Sequence, residues 1–146
     1  MPALNAALTR LSADLGDRHV ATEAALTMAC TGPRPACYGF LAGPGPEGAA
    51  LAAPLFSTTR GMAGLYVSDL WVAAEARGTG LGRRLLAHVA RFGADNWGAG
   101  FLKLSVYDDN ADALAFYGRL GFSGIPRDRV LMLAGAALAD LTKGTG

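Results

Sequence analysis

The sequence predicts an α/β fold, a mixed but mostly antiparallel sheet with flanking helices, on three observations. Leu65–Val72 is an apolar strand that runs through the glycine-rich turn Arg77-Gly78-Thr79-Gly80-Leu81-Gly82 into an amphipathic helix. Two strand-like runs, 49–59 and 63–73, meet at Arg60-Gly61 as an antiparallel meander. A further run, Phe101–Tyr107, follows the helix, and the order strand, helix, strand implies a right-handed parallel crossover.

From the N-terminus, Leu4, Leu8, Leu11 and Leu15 form one apolar stripe of a helix over residues 3–15, ended by Gly16. A second helix starts after Thr22 as N-cap and runs to about Cys30, because Gly32-Pro33 and Pro35 forbid continuation. Cys37–Leu41 reads as a strand closed by the turn Gly43-Pro44-Gly45-Pro46. The helix after the glycine turn is expected over 79–93, with Leu81, Leu85, Leu86, Val89 and Phe92 on one face and breaks near Gly93 and Gly98. Asn110 caps a helix from Ala111 to Leu120, and Gly121 suits the left-handed position after it. A last strand is expected at Arg129–Leu133, then a short helical tail to Leu141.

One irregularity stands out in the strand 63–73. Leu65 and Val67 share one parity, while Leu70 and Val72 share the other. A regular strand alternates with period two, so a β-bulge is expected near Ser68-Asp69, splaying the strand from its neighbour and freeing backbone groups for a ligand. Burial on both faces is the alternative, since parity then carries no information.

Length and charge restrict the function classes. With 146 residues the chain is read as a single domain, 1–146, in which one site does everything. An apolar content of 51% and a net charge of +1 describe a globular protein without a field for nucleic acid or an anionic membrane. Cys30 and Cys37 lack metal-ligand spacing and are read as reduced, buried thiols, a disulfide being the less favoured reading. No signal peptide or transmembrane-length apolar stretch interrupts the expectation of a cytoplasmic protein.

The glycine turn is the strongest functional signal. Backbone N–H groups from Gly78 to Gly82 can approach a phosphate closely, and the dipole of the following helix favours the same anion. Arg83-Arg84 stands where a nucleotide-hydrolysing P-loop needs Lys-Ser/Thr, and a dinucleotide fingerprint would need glycine at position 83. A plain strand-turn-helix would not need three glycines in five residues, which incur an entropic cost.

Arg77-Gly78-Thr79-Gly80-Leu81-Gly82 matches Arg-x-x-Gly-x-Gly, and Asn110-Ala111-Asp112-Ala113-Leu114-Ala115-Phe116-Tyr117-Gly118-Arg119-Leu120-Gly121-Phe122 matches Asn-x-x-Ala-x-x-Phe-Tyr-x-Arg/Lys-x-Gly-Phe. In these two motifs, in this order, the chain resembles the GNAT superfamily of acetyl-CoA-dependent N-acetyltransferases, over residues 63–122. Leu65–Val72, Arg129–Leu133 and the helix pair at 4–30 look most like the branch acetylating small amines, including polyamine and thialysine acetyltransferases. The resemblance implies a centrally splayed GNAT sheet, whose first strand is missing ahead of residue 4. An edge so uncovered leaves homodimerisation or strand exchange open.

The resemblance also implies site residues. Backbone groups of Leu70, Trp71 and Val72 pair with the pantetheine arm of acetyl-CoA, and the turn from Arg77, Gly78, Thr79, Gly80, Leu81 and Gly82 to Arg83 holds the pyrophosphate. Asn110 and Ala113 add to the cofactor site, with Asn110 also serving as a helix cap. Tyr117 corresponds to the family's tyrosine and is the expected general acid for the departing thiolate. Polyamine-acetylating relatives carry a glutamate where this chain has Ser68, which leaves Asp69 as the base, directly or through water, or as an ordinary bulge residue. Glu75 is held in reserve.

Ser57-Thr58-Thr59-Arg60 offers no carboxylate to a multiply charged amine, which argues against spermidine. Arg60 is either an exposed loop residue or a receiver for an acceptor's carboxylate or phosphonate. His19 and His88 are read as structural, and no metal is expected. The expected reaction is acetyl transfer to a primary amine of a small molecule by direct attack in a ternary complex. Acetylation of a protein N-terminus or lysine, and a non-catalytic CoA-binding module, are the alternatives.

Overall fold

The computed structural model describes residues 1–144, with five helices and a four-stranded sheet. Helices α1 (Pro2–Leu15) and α2 (Glu23–Cys30) precede strands β1 (Tyr38–Ala42), β2 (Gly48–Ser57) and β3 (Met62–Val72). A 3-10 turn at Ala74–Ala76 leads to α3 (Leu81–Trp97), β4 (Leu102–Leu104), α4 (Ala111–Leu120) and α5 (Gly135–Lys143). The chain forms two compact units, Met1–Asp109 and the part from Asn110 onward.

In the first unit the sheet order is β1-β2-β3-β4, with β1, β2 and β3 antiparallel and β4 parallel to β3. The expected mixed α/β architecture is present. Gly16 closes α1 in the left-handed conformation, and the Thr22 hydroxyl caps α2 by accepting the Ala25 N–H. No strand precedes α1 among the described residues.

The bulge predicted near Ser68-Asp69 is present. Leu51 pairs with Asp69 and Ala52 with Val67, so Ser68 is the extra residue. Its effect on the core follows from the pairing register. Leu65 and Val67, buried at 0% and 3% exposure, share a face with Ala52, and beyond the bulge Leu70 opposite Ala50 keeps that face. Asp69 and Trp71, opposite Leu51 and Ala49, turn to the other face, where Leu4, Leu8 and Leu26 of α1 and α2 close a cluster around the indole.

Beyond shifts of one or two residues at element ends, three features differ from expectation. Gly93 does not break α3, which continues to Trp97 and ends at left-handed Gly98. A Cβ on Gly93 would stand 2.6 Å from Leu65 Cδ1, so this glycine serves close helix–sheet packing. Strand β4 is Leu102–Leu104 rather than 101–107, because its pairing with β3 stops at Val67, where the bulge begins. The strand expected at Arg129–Leu133 is absent. After Arg127, at φ 73°, the segment has no ladder partner among the described residues, and Val130, Leu131 and Met132 are exposed. Apolar alternation favours an extended chain, but a strand also needs a neighbour to receive its hydrogen bonds.

Candidate functional site

The end of β3 carries backbone groups that no neighbouring strand of the described residues pairs with. On one side Gly48, Ala49 and Ala50 of β2 pair with Val72, Trp71 and Leu70, whereas β4 leaves β3 after Val67. Among the described residues, the outer edge from Ser68 to Val72 therefore has no strand beside it. The Ala73 N–H donates to the Glu47 carbonyl, so the intervening peptide plane turns the Val72 carbonyl outward. Antiparallel alternation then directs both polar groups of Leu70 and Val72 outward and those of Trp71 toward Ala49. Of the three expected backbone contacts, two are on the open edge. Trp71 instead contributes its side chain to the core, 3% exposed.

The turn that follows has the conformation that its glycines allow. Gly78 and Gly80 have φ of 78° and 82°, where a side chain would be strained, and a Cβ at Gly78 would meet nothing within 4 Å. Helix α3 begins at Leu81, so the N–H groups of Leu81, Gly82 and Arg83 have no acceptor inside the helix. The Thr79 hydroxyl is used within the turn, donating to the Ala76 carbonyl. Arg84 donates to the Thr79 carbonyl at 3.0 Å, and Arg83 is exposed.

Arg77 is engaged by the protein itself. Its Nε donates to the Val72 carbonyl at 3.1 Å and its Nη2 to Asp14 Oδ2 at 2.9 Å. Asp14 also accepts the Trp71 indole N–H at 3.2 Å, and the Arg10 guanidinium lies 4.7 Å above that indole ring. The last turns of α1 thus fasten the end of β3 to the glycine turn. Sequence reading missed Asp14 and Arg10, because no spacing rule connects positions 10 and 14 to 71 and 77.

Asp69 is half-buried and accepts the Ser68 hydroxyl at 2.9 Å. The bulge sets this pair side by side and turns Asp69 toward the face of α1 and α2. Cys37 is close enough for the Asp69 charge to act on it: burial first, then the hydrogen bond to Cys30 and the charges of Cys30 and Asp69, raise the Cys37 thiol from 9.0 to about 11. The two cysteines are free and half-buried rather than buried. Glu75 is exposed and forms a loose ion pair of 3.9 Å with Arg10. Arg60 lies over the Phe101 ring at 5.5 Å. The two histidines have structural neighbours, His19 in a 2.8 Å hydrogen bond with Asn5 and His88 edge-on to Phe40.

In the second unit Asn110, Ala113 and Tyr117 lie on one helix. The Asn110 Oδ1 accepts the Ala113 N–H at 3.1 Å, as a cap should, which leaves the Asn110 amide hydrogens to other partners. Tyr117 is half-buried between Phe116 and Phe122, each with its ring centre 5.3 Å away. Burial raises its phenol above the usual 10.0, which keeps the proton on oxygen. Among the described residues no group of three or more His, Cys, Asp or Glu side chains is arranged to hold a metal, and no helix is long and apolar enough to cross a membrane.

The sequence profile of the acetyltransferase (GNAT) family matches residues 28–122. Streptothricin acetyltransferase of Streptomyces lavendulae is 42% identical over 67 residues, 46% of this chain and 35% of that protein. The chain thus spans about a third of the length of that curated relative. Among solved structures, an integron cassette protein from the mobile metagenome of V. cholerae has a TM-score of 0.74 at 21% identity, covering 97% of this chain and 91% of that one. An aminoglycoside acetyltransferase from an uncultured soil metagenomic sample, in complex with sisomicin, has a TM-score of 0.70 at 14% identity, with 92% and 86% covered. At such identities these two structures share the fold. The profile match spans β1 to α4 and includes both the glycine turn and the Asn110–Phe122 motif, and on that ground the chain belongs to the acetyltransferase (GNAT) family.

Proposed function

We propose that this chain acts as a single domain that transfers an acetyl group from acetyl-CoA to a primary amine of a small molecule, by direct attack in a ternary complex. The observation that carries the reading is the unpaired edge of β3 after the Ser68 bulge, continuous with the turn from Gly78 to Arg83. Amide groups of a pantetheine arm fit the outward N–H and C=O of Leu70 and the outward N–H of Val72 as a further strand would, while the Val72 carbonyl already accepts from Arg77 Nε. A pyrophosphate fits the first-turn N–H groups of α3, with Arg83 adding charge.

Acetyl-CoA supplies an acetyl group activated as a thioester. The chain's own groups handle the protons. Asp69 receives a proton from the acceptor's ammonium, directly or through water, so that a neutral amine attacks the carbonyl. Tyr117 gives its phenolic proton to the departing sulfur, a role served by the burial that keeps that proton bound. Ser68, donating to Asp69, fixes the carboxylate's orientation.

The 42% identity with streptothricin acetyltransferase over 67 residues supports acetyl transfer and makes streptothricin the first acceptor to try. Steady-state kinetics with acetyl-CoA and a panel of amines, followed by CoA thiol release, tests the reading. Intersecting initial-velocity lines with one or more amines are expected. Parallel lines would replace the ternary complex with an acetyl-enzyme, and acetyl-CoA binding without transfer to any amine would favour a CoA-binding module.

A further inference from the structure

The sulfurs of Cys30 and Cys37 lie 3.5 Å apart, although the residues belong to different elements, the last residue of α2 and the approach to β1. The backbone already holds these two positions together. The Ala29 carbonyl accepts both the Ala36 N–H, at 2.6 Å, and the Cys37 N–H, at 3.3 Å. The six residues between the cysteines leave the surface accessible, since Thr31 to Arg34 are exposed and both cysteines are half-buried. A disulfide has an S–S bond of about 2.0 Å, so the sulfurs have about 1.5 Å left to close. We propose that Cys30 and Cys37 form a modification site at which a small-molecule disulfide of the glutathione type closes a reversible cross-link between the end of α2 and the residue before β1.

The exchange balances in two steps. The Cys30 thiolate attacks one sulfur of the small disulfide, forming a mixed disulfide and expelling one small thiolate. The Cys37 sulfur then attacks Cys30 Sγ, forming the internal S–S bond and expelling the second small thiol, which takes up the Cys37 proton. Two electrons and two hydrogens pass from the protein to the small disulfide, which becomes two thiols. Burial and the neighbouring negative charges hold the Cys37 proton, so Cys37 acts in the second step, where proximity to Cys30 compensates for its low thiolate fraction. Closing this short loop also restricts the unfolded chain, which stabilises the oxidised protein.

The test is equilibration of the folded protein with excess oxidised glutathione, followed by alkylation of free thiols and intact-mass and peptide analysis. The expected product is a monomer two hydrogen atoms lighter, with neither cysteine alkylated, a 30–37 cross-linked peptide and a melting temperature several degrees higher. A single-cysteine variant, Cys37→Ser, is expected to accumulate the mixed disulfide on Cys30 that the parent does not retain. Persistence of two alkylatable thiols, a stable glutathione adduct on the parent protein, or cross-links only between chains would overturn the proposal. None of these readouts depends on acetyl transfer.

Discussion

Substitution of Asp14 tests whether α1 fastens the end of β3 through the Trp71 indole. Asp14 serves two groups of unequal weight. Its ion pair with Arg77 joins side chains that are 48% and 55% exposed, so screening leaves it worth about 0–1 kcal/mol. Its bond to the Trp71 N–H serves a residue only 3% exposed, and leaving that donor without an acceptor costs about 1–3 kcal/mol, with the lower half expected because the vacated space opens to water. Asp14→Ala loses both contacts. Asp14→Asn loses the charge but keeps an amide oxygen for the indole. Both variants remove an unfavourable anion from the end of α1, worth about 0.3–1 kcal/mol, so that gain cancels in their difference. Helix propensity alone would favour alanine over asparagine at this position by about 0.5 kcal/mol. The indole bond predicts the opposite order, with Asp14→Asn more stable than Asp14→Ala by about 1 kcal/mol in urea unfolding. An alanine variant as stable as the asparagine variant, or more so, would refute the reasoning.

Three further outcomes follow from the same structure. Gly93→Ala should lower stability by about 1 kcal/mol in urea unfolding, because overpacking against Leu65 exceeds the helix-propensity gain of about 1 kcal/mol; a more stable variant would contradict it. Tyr117→Phe should reduce kcat by about 100-fold or more while acetyl-CoA affinity is unchanged, so unaltered turnover would remove Tyr117 from the chemistry. Cys37 binds its proton more tightly in the folded state, so its contribution to stability is complete below pH 9.0 and is lost as pH rises through about 11. Cys37→Ala should therefore flatten the fall of melting temperature over that interval, and an unchanged slope would argue against the raised thiol.

Local patterns in the sequence were legible where local chemistry decides the structure. Gly16 and Gly121 end their helices in the left-handed conformation, and Thr22 and Asn110 cap theirs through side-chain oxygens, as their residue types require. The parity switch between Val67 and Leu70 located the bulge, because a buried strand cannot change face without an extra residue. Readings failed where a tertiary partner decides. Gly93 looks like a helix break until Leu65 is seen against it, and Val130–Leu133 looks like a strand although no neighbour pairs with it. The same limit hid Asp14, whose two partners lie 57 and 63 residues away. Alternation also refined the site, since reading 70–72 as three equivalent backbone contacts overlooked that Trp71 faces β2.

The central claim is that the open edge of β3 and the glycine turn together receive acetyl-CoA. Calorimetric titration of the folded protein with acetyl-CoA, with desulfo-CoA and NADH as comparisons, tests it most directly. The account predicts saturable binding of acetyl-CoA and desulfo-CoA at one site per chain and none of NADH, because the site matches a pantetheine arm as well as a pyrophosphate. Equal binding of NADH would reduce the site to a general anion cradle, and no binding of acetyl-CoA by a folded chain would contradict the claim.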